Sequence, residues 1–337
     1  MRQRDEVRLP FYFVTYLQGK DTKTALKRKA IHRNISCSTP MKLEIRNLSK
    51  IYPNGQKALK NLNLDIPMGM FGLLGANGAG KSSLMRTLAT LQEADSGTIT
   101  FGDINVLKDK TRMRQILGYL PQDFGVYPGV SAEQLLTHLA ALKGITSVRD
   151  RKDIVKHLLH QVNLYSVRNK AVSGYSGGMR QRFGIAQALI GNPKLIIVDE
   201  PTTGLDPAER VRFLNLLSQV GENAAIILST HIVEDVAELC SNMAIIDKGQ
   251  VLLTGNPLEL MGRLKGKIWE KTLKRDELPA CQQTYQVIST RFFVGNIIAR
   301  IFDKRLPDAS CISVSPTLED VYFCTQKQLI NNSCYAA

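Results

Sequence analysis

Eight consecutive residues, Gly75-Ala76-Asn77-Gly78-Ala79-Gly80-Lys81-Ser82, constrain this chain more than any other stretch. Their glycines let the backbone curl so that successive N–H groups face one small concavity. The apolar run Phe71-Gly72-Leu73-Leu74 ahead of them reads as a buried strand, and Leu84, Leu88 and Leu91 behind them mark one face of a helix. A strand, a curled loop and a helix N-terminus in that order make an anion site, because backbone donors and the positive helix end converge on one point. Lys81 is placed to reach the outer phosphates of a nucleotide, and the Ser82 hydroxyl to hold Mg²⁺.

The remaining pattern is that of an α/β chain. Residues 43 to 106 are strand-rich, beginning with the alternation Leu43, Ile45, Leu48. Residues 124 to 190 read as helical, with Leu135, Leu136, Leu139 and Leu142 at helical spacing. Leu195-Ile196-Ile197-Val198 and Ala225-Ile226-Ile227-Leu228 are continuous apolar runs of the kind buried on both faces of a parallel sheet. Pro207 suits the first position of a helix. Lys248-Gly249 between two apolar runs predicts a closing hairpin, and the pattern weakens from about 257.

Asp199 ends one of those runs. A carboxylate at the C-terminal tip of a buried strand lies where open α/β sheets bind ligands, and beside the glycine loop it is expected to hold Mg²⁺. Glu200 follows it. A second carboxylate that is not itself the ligand is what activation of a water near a terminal phosphate needs.

With Tyr175-Ser176-Gly177-Gly178-Met179 added, the combination resembles the nucleotide-binding domains of ATP-binding cassette transporters, of the bacterial exporter type. The resemblance implies a P-loop NTPase fold: a central mostly parallel sheet, an N-terminal antiparallel β subdomain, a helical subdomain carrying the signature, and a small C-terminal α/β extension. It places the cassette at 41–256, its helical part at about 124–190, and an accessory region at 257–337.

The resemblance also implies ATP and Mg²⁺ as cofactors and assigns roles. Gly75, Ala76, Asn77, Gly78, Ala79, Gly80, Lys81, Ser82 and Ser83 would contact ATP, and Tyr52 would stack on adenine. Ser176, Gly177 and Gly178, the signature, would close on ATP held by a second cassette, with Asp206 in the loop linking the two sites. Ser82, Gln122 and Asp199 would hold Mg²⁺; Glu200, His231 and Gln122 would be catalytic. The expected partners are a second cassette, identical or sibling, and a separately encoded integral-membrane permease, with the chain at the inner face of the plasma membrane. Thr317-Leu318-Glu319-Asp320-Val321-Tyr322 resembles a segment near the end of exporter-type subunits. Tyr175 stands where leucine is commoner in the signature, and Met179 where glutamine is commoner.

Composition narrows the alternatives. The net charge is +14, of which residues 1 to 40 contribute +6. Without interleaved aromatics, that charge argues poorly for nucleic acid. No run of about 18 apolar residues occurs, so no spanning helix is expected. Cys37, Cys240, Cys281, Cys311, Cys324 and Cys334 are scattered and read as reduced thiols. Asn34-Ile35-Ser36 and Asn331-Asn332-Ser333 match the glycosylation triplet, which a cytoplasmic chain would not use. Residues 1 to 40 are expected outside the folded domain. They read as a membrane-touching arm or a start codon called too early at Met1 rather than Met41; the second fits better, because the segment carries no partner motif.

The alternative function is a soluble cassette ATPase acting on ribosomes or nucleic acid. Ribosome-acting relatives of that kind usually carry two cassettes, and here there is one glycine loop and one signature. Chromosome-organising relatives insert long coiled coils, whereas only 94 positions separate Lys81 from Tyr175, without sustained heptads. A kinase or GTPase reading leaves Ser176 to Gly178 and His231 unexplained.

Overall fold

A computed structural model describes residues 41–125, 127–221 and 224–330. The segment before Met41, the two glycosylation triplets, Cys37 and Cys334 lie outside them.

Strands β1 (Leu43–Ile51), β2 (Lys57–Ile66), β4 (Ser96–Phe101) and β5 (Ile104–Asn105) form an antiparallel sheet in the order β2-β1-β4-β5. The central sheet has six strands: β3 (Gly69–Leu74), β6 (Leu117–Leu120), β7 (Leu195–Asp199), β8 (Ala225–Thr230), β9 (Asn242–Asp247) and β10 (Gln250–Gly255). Its order is β10-β9-β3-β8-β7-β6, parallel throughout except that β10 returns antiparallel on β9. The turn between these two places Lys248 at φ 47 and Gly249 at φ 80, the left-handed pair that matches the twist of a two-residue hairpin.

The central strands are buried on both faces, and their side chains alternate between two cores. Leu195 and Ile197 of β7 point into a core shared with the antiparallel sheet, the first helix α1 (Lys81–Leu88) and α2 (Lys110–Ile116). Ile196 and Val198 point into a second core built with α3 (Ala132–Leu142), α4 (Val148–Gln161), α5 (Gly177–Leu189), α6 (Pro207–Val220) and α7 (Val233–Leu239). The sheet therefore holds its strand ends rigidly between two packed layers.

Two helical expectations are refined. The stretch 124 to 190 becomes helical only at Ala132, after a capping box in which Ser131 and Gln134 satisfy each other's backbone donors. Leu91 lies beyond α1, which stops at Leu88, and Leu142 is 43% exposed while Leu135, Leu136 and Leu139 are buried.

Beyond α8 (Pro257–Gly262), a third sheet runs β12 (Val287–Phe293), β13 (Asn296–Phe302), β11 (Ile268–Leu273), β14 (Ile312–Ser313), with α9 (Leu278–Thr284) and α10 (Leu318–Gln326). One sheet face closes a small core of Leu273, Val287, Ile297 and Ile301. The other shares the second core through Ile268 and Ile288, which Val321 and Cys324 of α10 also join. Thr317-to-Tyr322 is the start of α10: Thr317 caps it, and Asp320 binds both the Thr317 N–H and the Arg300 guanidinium. Among the described residues four cysteines are free thiols, all buried, and no helix is long and apolar enough to cross a membrane.

Candidate functional site

The glycine loop joins β3 to α1 as its sequence requires. Gly78 and Gly80 take φ values of 80° and 108°, and a Cβ at Gly80 would lie 2.6 Å from the Ala58 carbonyl oxygen. Any side chain at that position would be both strained and obstructed. Lys81 is buried; its Nζ donates to the Gly75 and Ala76 carbonyls at 2.7 and 3.2 Å. The amine is thus held under the loop, on the side where the backbone donors of a phosphate cradle converge.

Asp199 closes β7 and Glu200 follows with φ 47, a left-handed conformation that costs a non-glycine residue free energy and aims its side chain differently from the strand. Its N–H donates to the Ser229 carbonyl at 2.8 Å, which holds the turn against β8. Three expected site residues converge on the Glu200 carboxylate: Lys81 Nζ at 3.4 Å, His231 Nδ1 at 3.3 Å and Gln122 Nε2 at 3.5 Å. They come from the glycine loop, the end of β8 and the loop after β6, so the C-terminal ends of adjacent strands assemble one pocket.

Burial pushes the Asp199 carboxyl above the usual carboxylate range; the neighbouring Glu200 charge adds to this, while the Lys81 charge pulls against it. Asp199 Oδ1 and Ser229 Oγ are buried without a hydrogen-bond partner among the described residues. Orphaned buried oxygens are rare and call for a ligand. An all-oxygen set of Asp199, the Ser82 hydroxyl and the Gln122 amide fits Mg²⁺, a hard cation that keeps much of its water.

Tyr52 lies against the start of α1. Its hydroxyl bonds Ser83 Oγ at 2.9 Å and Gln92 Oε1 at 3.2 Å, fixing the ring against the start of α1. Ser83 therefore meets Tyr52 through its side chain and Thr87 and Gln92 through its carbonyl.

The signature lies apart from the pocket. Ser176 is the N-cap of α5, its hydroxyl accepting from the Met179 N–H at 3.3 Å, and Gly177 and Gly178 form the helix's first turn. Ser176 and Gly177 are exposed, whereas Gly178 is buried. Tyr175 is buried beneath them, donating to the Val167 carbonyl at 3.0 Å and meeting Phe183 edge-on. Its departure from leucine is thus accommodated by a core site that includes an acceptor. Met179 packs on the same core. Asp206 caps α6 by accepting from the Glu209 N–H at 2.8 Å.

Three features escaped sequence reasoning. A cleft of about 290 Å³ opens beside Ser82, Gln122 and Asp199, lined by Arg86, Leu91, Pro121, Phe124, Leu139 and Lys143. Lys143 is pushed down to about 8 by burial while its Nζ donates to the Arg114 and Leu117 carbonyls. Buried Asp235 joins Thr202 to Arg210, and Glu209 meets Arg182. Nothing in the local sequence marked any of them.

Comparison with known proteins accords with this geometry. The family model described as ABC transporter matches residues 59–203. The linearmycin resistance ATP-binding protein LnrL of Bacillus subtilis is 34% identical over 227 residues, covering 66% of this chain and 72% of that protein. ABC transporter A family member 7 of Arabidopsis thaliana is 33% identical over 295 residues, but this chain spans only 31% of its length. The dimeric post-hydrolysis structure of the ATP-binding cassette MJ0796, bound to ADP and Pi, superposes with a TM-score of 0.58 at 25% identity, covering 64% of this chain and 98% of that one. A glycine loop, a carboxylate pair and a capped signature helix, on a fold shared with solved cassettes, place the chain in the family of ABC transporter ATP-binding proteins.

Proposed function

We propose that this chain hydrolyses ATP to drive a membrane permease, in the direction of export. The observation that carries the hydrolytic part is the convergence of Lys81, Gln122 and His231 on Glu200 beside the glycine loop. Gly75 to Ser82 would cradle the phosphates through backbone N–H groups and the Lys81 amine, with Tyr52 against the base. Ser82, Asp199 and Gln122 would hold Mg²⁺, which when bound neutralises charge building on the phosphate oxygens. Glu200 would take a proton from the attacking water, and His231, already facing that carboxylate, would steady the terminal phosphate.

Ser176 and Gly177 are exposed on a helix N-terminus and would serve the nucleotide of a second cassette, identical or sibling. The cleft beside Gln122 gives the permease a place to act. It is bounded by the glycine-loop helix on one side and the helical subdomain on the other, and it opens onto Mg-site residues. A permease segment seated there would be felt by Gln122, and the chain would lie against the inner face of the membrane. Export of a drug or lipid is the reading that the resistance protein LnrL favours.

The test is to tag Glu200→Gln protein, trap it with ATP and identify what copurifies from detergent-solubilised native cells. A polytopic membrane protein in stoichiometric amount is expected. Ribosomes or nucleic acid in its place would overturn the transport reading.

A further inference from the structure

Glu209 and Arg210 are neighbours in the first turn of α6, directly after the Asp206 cap, and they reach opposite ways. Arg210 Nε and Nη2 both meet Asp235 Oδ1, at 2.8 and 2.7 Å, while Thr202 donates to Asp235 Oδ2 at 2.6 Å. Asp235 is fully buried and stands on α7, four residues past His231; Thr202 stands two residues past Glu200. The turn carrying the proposed base, the helix behind the switch histidine and the start of α6 thus share one buried carboxylate. A buried charge held by a guanidinium and a hydroxyl is fixed in place, because separating any partner leaves it uncompensated.

Glu209 reaches the signature helix. Its Oε2 lies 3.2 Å from Arg182 Nε, both side chains being about 15% exposed, and Arg212 holds its other oxygen at 2.7 Å. Arg182 also donates to the Val162 and Asn163 carbonyls. The Glu209 carboxylate lies so close over Gly178 that a Cβ there would be 2.5 Å from Oε2. A side chain at Gly178 would therefore press on the Glu209 carboxylate and oblige it to shift. The Arg182–Glu209 contact has no aligned hydrogen bond, so the pair holds by charge and packing.

We propose that Glu209 and Arg210 are positioning residues that make the first turn of α6 a strut between the two half-sites of the chain. Arg210, through Asp235 and Thr202, fixes Glu200 and His231 for the chain's own nucleotide. Glu209, through Arg182 and Gly178, fixes Ser176 for the nucleotide of the second cassette. The state of one site then reaches the other through two adjacent side chains, without a path through the sheet. This inference rests on the reading of the chain as a nucleotide-closed pair.

The experiment uses the full chain and two variants. Arg210→Gln with Asp235→Asn removes the buried carboxylate charge and its half-buried guanidinium partner together, so neither is left unpaired. Glu209→Gln keeps its shape over Gly178, and Arg182 keeps its carbonyl partners. Steady-state hydrolysis, single-chain affinity for an ATP analogue and ATP-dependent pairing in the Glu200→Gln background are measured for each.

The strut predicts that the double variant loses up to about 10²-fold in kcat, the cost of displaced catalytic groups. Its nucleotide affinity should stay within about twofold, and Arg210→Lys should recover part of the rate. Glu209→Gln should bind nucleotide normally but need several-fold more protein to pair. Wild-type kcat in the double variant, wild-type pairing in Glu209→Gln, or parallel losses of affinity and rate would overturn the strut. Failure of the unmodified chain to hydrolyse ATP, or of Glu200→Gln alone to pair, would instead overturn the function it rests on.

Discussion

The two halves of the nucleotide machinery in this chain are built differently. The half around Glu200 is buried and interlocked: Lys81 is 4% exposed, Asp199 4% and Glu200 8%, and four segments meet within a few ångströms. The half at Ser176 is an exposed helix end whose hydroxyl is engaged with its own backbone. Buried charges cost much and are kept where they bind or react. An open helix N-terminus is inexpensive and serves an anion brought from outside. The contrast supports assigning the first half to the chain's own ATP and the second to a partner's.

The largest expected effect breaks the first half. Glu200→Gln should lower kcat by about 10² to 10⁴-fold, the usual cost of removing a positioned base, while equilibrium binding of ATP persists. Wild-type turnover in a phosphate-release assay would remove Glu200 from that role. Lys81→Ala should act earlier, weakening nucleotide binding by at least about tenfold through loss of charge-assisted hydrogen bonds. Unchanged affinity in a calorimetric titration would separate the loop from phosphate binding.

Much of this half was legible because its residues are local. Gly75 to Ser82, Asp199 and Glu200 sit where strand patterns end, and the apolar runs located those ends. Gln122 and His231 were named through the family resemblance, and the structure brings both to Glu200. What escaped was long-range. Arg182 and Glu209 are 27 positions apart, each looking like a solvated helix charge, and only the packing of α5 on α6 makes them meet. The C-terminal region was equally opaque: Ile268 and Ile288 belong to the same core as the helical layer, yet their short strands carry too weak a period to announce it. Val294, at φ 46 in the β12–β13 turn and 85% exposed, is a β-branched residue where glycine or asparagine is expected, so Gly295 at φ 79 was the hairpin's sole turn signal.

The second half is tested by Ser176→Ala. Losing the cap should cost about 1 kcal/mol of stability. If the assignment holds, ATP affinity of a single chain is unchanged while ATP-dependent pairing of the Glu200→Gln protein weakens. Loss of single-chain affinity instead would move Ser176 into the chain's own site and erase the contrast.

The smallest effect sharpens the same comparison from beneath the signature. Tyr175 differs from the family's commoner leucine, and its hydroxyl donates to the Val167 carbonyl from a buried ring. Tyr175→Phe keeps the ring and its edge contact with Phe183 but leaves that carbonyl without the tyrosine donor. The expected cost is about 1 kcal/mol, seen as a fall of about 2–4 °C in Tm. Because the hydroxyl points into the core and away from the exposed end of α5, kcat and pairing should stay at wild-type values. A drop in pairing without a drop in Tm would mean that Tyr175 aims Ser176 rather than merely supporting its helix, and the signature half would then be less independent of its core than its exposure implies.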